Sequence, residues 1–293
     1  MTTKKWLKRN THSLDGKTVA ISGSTGGIGQ HLCRYLANLG ANLVLLDRNR
    51  TKSEALKSCL QEEFSQVSVE LLTADMEDLA SVKQAADALT ARKPYALILN
   101  AGAYAIQRHK CGTGLDNVFQ INFFSPYFLA RKMQEIGTKV VAVGSIAHNY
   151  SKTDMTDFDF STRKKASLCY GNAKRFLMFS LYGLFEGGKG LAVTHPGITF
   201  TNITAHYPPW LFAIIKHPMK VIFMHPKRAC LSILRGVFED CGKNQWIGPG
   251  IFDIWGLPKK RTLRTCHADE AERICQKAEE LYEKTTATNS CGG

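Results

Sequence analysis

The sequence predicts an α/β protein in which a doubly wound parallel β-sheet carries helices on both faces. Two observations lead there. Short apolar runs alternate with stretches of helical period along most of the chain, and the first run leads straight into a glycine-rich loop that opens a helix. With 293 residues, 44% of them hydrophobic and 22% charged, the chain can bury one large core of this kind.

After a polar leader (1–13), Thr18-Val-Ala-Ile-Ser22 forms the first predicted strand, and Ser22-Gly-Ser-Thr-Gly-Gly-Ile-Gly29 follows it. The helix behind that loop runs to Leu39, where Gly40-Ala-Asn42 breaks it. Residues 43–46 are a second strand with Asp47 at its carboxyl end. The alternation continues with a helix over 53–64, a strand over 67–72, a helix over 78–92 and a strand over 96–99 that runs into Asn100-Ala-Gly102. A long helix over 115–136 precedes a strand over 139–143, with Ser145 just past its end. A polar excursion over 149–165 leads into a helix bearing Tyr170 and Lys174, and a sixth strand over 191–194 ends at His195-Pro-Gly197.

Residues 198–226 change character: apolar and aromatic side chains gather among prolines, too interrupted for one helix. A helix over 226–239, a strand near 245–247 and a charged helix over 268–284 follow; the last has a stripe of Ala271, Ile274, Ala278 and Leu281. Residues 285–293 have nothing to bury and are expected to be disordered. The expected organisation is a leader (1–13), one domain (14–257) and a C-terminal helix with its tail (258–293).

The formal net charge of +13 favours anionic partners, but the basic residues are spread out and lack the aromatic-interleaved stripe expected of a nucleic-acid binder. Nine cysteines without a Cys-x-x-Cys spacing argue against a disulfide framework and a zinc site, and no histidine spacing forms a metal set. The amino terminus begins with charge, and no window has the ~18 apolar residues needed to cross a bilayer, so a soluble cytoplasmic protein is expected.

Glycines 23, 27 and 29 allow backbone amides to approach a pyrophosphate, and the helix behind them presents unpaired N–H groups. Asp47 stands where such folds receive the adenosine ribose hydroxyls, and a helix N-cap is its other reading. Tyr170 and Lys174, four apart on a helix, share one face.

In this order the loop, Asn100-Ala101-Gly102, Asn122 in Ile121-Asn122-Phe123, Ser145, Tyr170, Lys174 and His195-Pro-Gly197 resemble the short-chain dehydrogenase/reductase family over residues 14–250. Ser145-Ile-Ala-His148 and His-Pro-Gly look most like its retinol-dehydrogenase-like branch. Ser22 and Leu99 depart from the family pattern at positions where backbone geometry is expected to matter more than side chain. The resemblance implies a single-domain Rossmann fold with a substrate lid over about 198–226 and a C-terminal helical extension. It implies NAD or NADP as cofactor, bound by Gly23, Ser24, Thr25, Gly27, Ile28, Gly29, Asp47, Arg48, Asp75, Met76, Asn100, Ala101, Gly102, Tyr170, Lys174, Pro196, Gly197, Ile198 and Thr199. Asp47 repels a 2′-phosphate and Arg48 can bind one; the balance leans to NAD.

In the implied chemistry, Tyr170 is the acid/base, Lys174 favours its phenolate and holds the nicotinamide ribose, Ser145 donates to the substrate oxygen, and Asn122 positions a water. As isolated residues, Ser145 could be a strand-end cap, Asn122 a buried amide bonded to backbone, Asp75 a turn cap and His148 a satisfied histidine. The expected reaction is hydride transfer between nicotinamide and a hydrophobic alcohol or carbonyl. Alternatives are a dinucleotide-sensing protein on the same fold and a reductase of an activated C=C bond. A homodimer or homotetramer is expected; 198–226 could instead be a subunit contact or a membrane-surface contact.

Overall fold

The computed structural model describes residues 2–198 and 224–287. In chain order it has α1 (Thr3–Asn10), β1 (Thr18–Ser22), α2 (Gly27–Asn38), β2 (Asn42–Asp47), α3 (Arg50–Glu63), β3 (Val69–Thr73), α4 (Leu79–Arg92) and β4 (Ala96–Leu99). It continues with α5 (Asn117–Phe119), α6 (Ser125–Glu135), β5 (Lys139–Val143), α7 (Ala166–Leu184), β6 (Leu191–Thr194), α8 (Pro226–Phe238), β7 (Gln245–Ile251), β8 (Trp255–Thr262) and α9 (Ala268–Ala287).

The strands form one sheet in the order β3-β2-β1-β4-β5-β6-β7-β8, parallel up to β7 and antiparallel at the last pair. β1 lies between β2 and β4, with Ala20 opposite both Val44 and Leu97. The chain therefore winds outward twice from β1. The crevice between the two windings, at the carboxyl ends of the strands, is where such a sheet binds ligands. The inner strands feed two cores, as their alternation requires: in β1, Ala20 joins the cluster under α4 to α7 and α9, while Val19 and Ile21 join the one under α1, α2, α3 and α8.

Several expectations change. The leader contains a helix, because Trp6, 2% exposed, packs into the second core beside Leu14. Two adjacent apolar residues, Trp6 and Leu7, in a basic octet give no period to detect. The helix expected over 115–136 begins at the Asp116 N-cap, whose carboxylate accepts from Val118 N at 3.0 Å, and is interrupted by a π turn over Gln120–Phe124. Pro126 has no N–H to return to the Asn122 carbonyl four residues back, so the ladder widens there.

β8 was not anticipated, and the division drawn at 257/258 falls inside it. Its Gly256, Pro258 and three consecutive basic residues conceal a strand, yet suit an edge position where proline and lysine are tolerated. α9 continues to Ala287, so residues 285–287 are helical rather than disordered, and Lys83 Nζ donates to the Thr285 carbonyl at 2.7 Å. Residues 288–293 and nearly all of the expected lid, 199–223, lie outside the described residues. No helix among the described residues is long and apolar enough to cross a membrane.

Candidate active site

The glycine loop closes on itself too tightly for side chains. A Cβ on Gly29 would fall 2.4 Å from the Gly23 carbonyl oxygen, and Gly23, at φ 67°, would place one 2.8 Å from Ala101 Cα. α2 behind it has no side-chain cap and no acidic residue in its first turn, so its leading amides remain available to an anion. The loop therefore fits a pyrophosphate.

At Ser22 the side chain matters too, beyond the backbone geometry expected to dominate there. Its buried hydroxyl accepts from Asn100 N and Ala101 N, both at 3.1 Å, and Asn100 Nδ2 donates to the Gly23 carbonyl at 2.9 Å. These bonds hold the β4 exit against the loop. Ser22→Ala is expected to cost about 1 kcal/mol in urea unfolding, since two part-buried amides lose their acceptor; an unchanged midpoint would show that the amides find other partners.

Asp47 serves neither as the α3 N-cap, which is Asn49, nor as a free acceptor. Its carboxylate accepts from the Ser24 hydroxyl, from Thr25 N at 3.3 Å, from the Thr25 hydroxyl at 3.2 Å and from the Ser53 hydroxyl at 3.2 Å. It thereby ties the phosphate loop to α3. Arg48 beside it is largely exposed and faces Glu77 at 3.6 Å. Asp75 caps a turn, accepting from Glu77 N at 3.0 Å, and the carbonyl of buried Met76 accepts from Ser125 at 2.7 Å.

The chemistry gathers around β5 and α7. Ser145 caps the 3-10 turn over Ile146–Tyr150, its hydroxyl accepting from Ala147 N at 3.2 Å, and its side chain is near enough to the Tyr170 phenol to act on its ionisation. Burial pushes the Tyr170 phenol up to about 12, partly offset by Ser145. Lys174, 2% exposed, donates to the Val143 carbonyl at 2.8 Å, with Nζ 5.7 Å from the Tyr170 ring centre. Burial brings its ammonium down to about 8.

Asn122 sits in the π turn, and its amide hydrogens are both taken, by the Ala103 and Val118 carbonyls at 2.8 Å each, while Oδ1 accepts from Ala103 N at 3.1 Å. A Cβ on Gly102 would come 2.8 Å from that Oδ1 and 3.6 Å from Lys174 Nζ, so the two groups border one small space. Pro196 is buried, and Gly197, at φ 84°, packs against the Ile254 carbonyl. The Ile198 carbonyl accepts from Met224 N at 2.9 Å. Thr199 lies outside the described residues.

Sequence reasoning missed Tyr104, which meets Tyr170 edge-on with ring centres 5.4 Å apart, and Thr265 and Glu270, which reach the site from the C-terminal segment. None belongs to a motif. His148 is the satisfied histidine expected from the sequence, bonded to Ser145 and Thr265.

The short chain dehydrogenase family model matches residues 17–162, the span holding the phosphate loop, Asn122 and Ser145. This chain belongs to the short-chain dehydrogenase family. Retinol dehydrogenase 12 of Mus musculus is 29% identical over 202 residues, 65% of this chain and 64% of that protein. Polyprenol dehydrogenase of Homo sapiens is 26% identical over 207 residues, 65% of this chain and 63% of that protein. Such relatives put this family member on the retinol-dehydrogenase-like branch. The chain spans between 42% and 64% of the length of several curated relatives it matches. Among solved structures, an uncharacterised protein from Mycobacterium paratuberculosis superposes with a TM-score of 0.75 at 23% identity, covering 94% of this chain and 96% of that one, which shows a shared fold.

Proposed function

We propose that this short-chain dehydrogenase is an NAD(P)-dependent oxidoreductase that moves hydride between nicotinamide and a hydrophobic alcohol or its carbonyl. The observation that carries this is the meeting of Ser145, Tyr170 and Lys174 at the carboxyl end of β5, beside the phosphate loop. Bound nicotinamide would supply or take the hydride. The residues do the rest. Tyr170 holds its proton at neutral pH and is ready to donate it as negative charge grows on a carbonyl oxygen. The Ser145 hydroxyl donates to that same oxygen and orients it. Lys174, charged below about 8, puts a cation beside the phenol and becomes the group to hold the nicotinamide ribose.

A hydrophobic substrate is supported by the apolar surroundings of Tyr170, with Tyr104 and Ile106 beside it, and by relatives named for retinol and polyprenol, both apolar alcohols. The test is a panel of steroids, retinoids and long-chain alcohols and aldehydes, read by nicotinamide absorbance. Dinucleotide binding without turnover on any of them would favour a sensor and overturn the proposal.

Of the two dinucleotides, NAD(H) is the one we propose. Asp47 places a carboxylate at the end of β2 where a 2′-phosphate would need room, and Arg48 leans toward Glu77 instead. Asp47→Asn removes the charge and one of the two acceptor oxygens that tie the loop to α3; the NADPH-to-NADH ratio of kcat/KM, in which a loss common to both dinucleotides cancels, is expected to rise about tenfold. A wild-type preference for NADPH, or a ratio unmoved in the variant, would refute this assignment.

A further inference from the structure

Around Ser145 the buried polar groups form a continuous chain that ends in the C-terminal segment. His148 follows Ser145 in the 3-10 turn and is wholly buried. Its Nδ1 lies 2.6 Å from the Ser145 carbonyl oxygen and its Nε2 2.8 Å from the Thr265 hydroxyl. A carbonyl oxygen only accepts, so the proton sits on Nδ1, and Nε2 accepts from Thr265. Burial takes the imidazole down to about 4, which keeps it neutral and keeps that tautomer at physiological pH. The ring is wedged edge-on against Trp246, with centres 5.6 Å apart, and against Phe179 at 6.3 Å.

A second arm runs alongside. Arg175, next to Lys174 on α7, donates to the His148 carbonyl at 3.2 Å and to the Thr265 carbonyl at 3.0 Å. Its guanidinium also forms a two-pronged pair with Glu270 of α9. The segment from Thr265 to Glu270 thus touches both the turn that holds Ser145 and the helix that holds Tyr170.

The tether acts where the geometry is most sensitive. Ser145 sits at φ −153° and ψ 146°, its hydroxyl accepts from Ala147 N at 3.2 Å, and its side chain is the group that pulls the Tyr170 phenol down against burial. The Ser145 carbonyl also accepts from His148 N at 3.2 Å, so losing the imidazole would leave it one weaker bond and let the following peptide tilt, carrying the hydroxyl away from the phenol. We propose that His148, braced by Thr265, is a positioning residue that fixes Ser145 against Tyr170, making the C-terminal segment part of the catalytic architecture. This rests on the hydride-transfer reading of the site.

The experiment compares His148→Leu, which keeps bulk and loses both bonds, with His148→Asn, whose amide N–H can take the place of Nδ1–H. In the full chain, His148→Leu is expected to lower kcat about tenfold or more with the dinucleotide KM unchanged, because the loss is one of alignment. His148→Asn should recover most of it. Thr265→Val should fall between them and Thr265→Ser should restore activity, which also serves if His148→Leu fails to fold.

A readout free of turnover is the resonance of Tyr170 in protein carrying isotopically labelled tyrosine at Cζ, identified by its loss in Tyr170→Phe. It should move in His148→Leu and return in His148→Asn. A folded Leu variant with kcat and resonance unchanged would overturn the proposal. So would equal defects in the Leu and Asn variants tracking a common fall in melting temperature, since that marks support of the fold alone. If the wild-type chain turns over no substrate, the functional reading fails, and the Tyr170 resonance still decides whether His148 places Ser145.

Discussion

Tyr170→Phe is expected to lower kcat by about three orders of magnitude, within the range found when a positioned general acid is removed. The substitution deletes one oxygen. The ring keeps its edge-on contact with Tyr104, and the glycine loop, Asn100 and Lys174 keep their bonds, so dinucleotide affinity should stay as it was. Stability should hold or rise slightly, because a buried phenol whose ionisation burial already opposes gives up little when replaced by a hydrocarbon. Steady-state turnover with the best substrate of the panel, beside dinucleotide binding followed by tryptophan fluorescence, separates the two effects. Full activity in this variant would remove the phenol from the mechanism, and lost dinucleotide binding would reassign Tyr170 to the cofactor pocket.

The same residue shows how far sequence pattern can reach. Tyr170 and Lys174 share a helix face, and the strand-loop-helix order places the phosphate loop at the first turn; the spacing put the pair on one face, and the resemblance across the motifs put that face at the site. The buried strands were legible for a similar reason: apolar runs such as Thr18–Ser22 and Ala96–Leu99 are short, continuous and bounded by turns. Trp6 and β8 were hidden because neither writes a period; one is a single anchor, the other an edge strand full of breakers and charge. The π turn was written in Pro126, but only a count back to the Asn122 carbonyl makes it visible.

The partners of Asp47 and Ser145 were illegible for a different reason. Whether Asp47 faces a ribose, a helix end or the Ser24 hydroxyl depends on rotamers in a packed neighbourhood. His148 and Thr265 are separated by 117 residues, and nothing in either local sequence announces the other. Local pattern specifies which elements form. It does not specify which polar groups meet when two distant elements close on each other.

Glu270→Ala should then be the most destabilising of the single substitutions considered, at about 3 kcal/mol, the usual penalty for leaving a buried ion without its partner. Arg175 is 6% exposed and would keep only two carbonyl acceptors beside the Phe179 ring, 4.6 Å away. Thr153, whose hydroxyl donates to the same carboxylate at 2.7 Å, would be orphaned with it. The effect carries a pH signature. Burial alone would raise the Glu270 carboxyl, but hydrogen bonds from Arg175 and Thr153 win and hold it below its ordinary 4.5. A carboxyl depressed by folding contributes stability that is present above the unfolded value and is lost as pH falls through the folded one. The gap between wild type and Glu270→Ala in urea unfolding should therefore be widest near neutrality and narrow below about 4.5. Glu270→Gln, which keeps an acceptor for Arg175, should lie between the two. If the gap is the same at neutral and acid pH, the carboxylate charge is not what holds α9 against α7, and the loss belongs to packing along Ile274, Ala278 and Tyr282 instead.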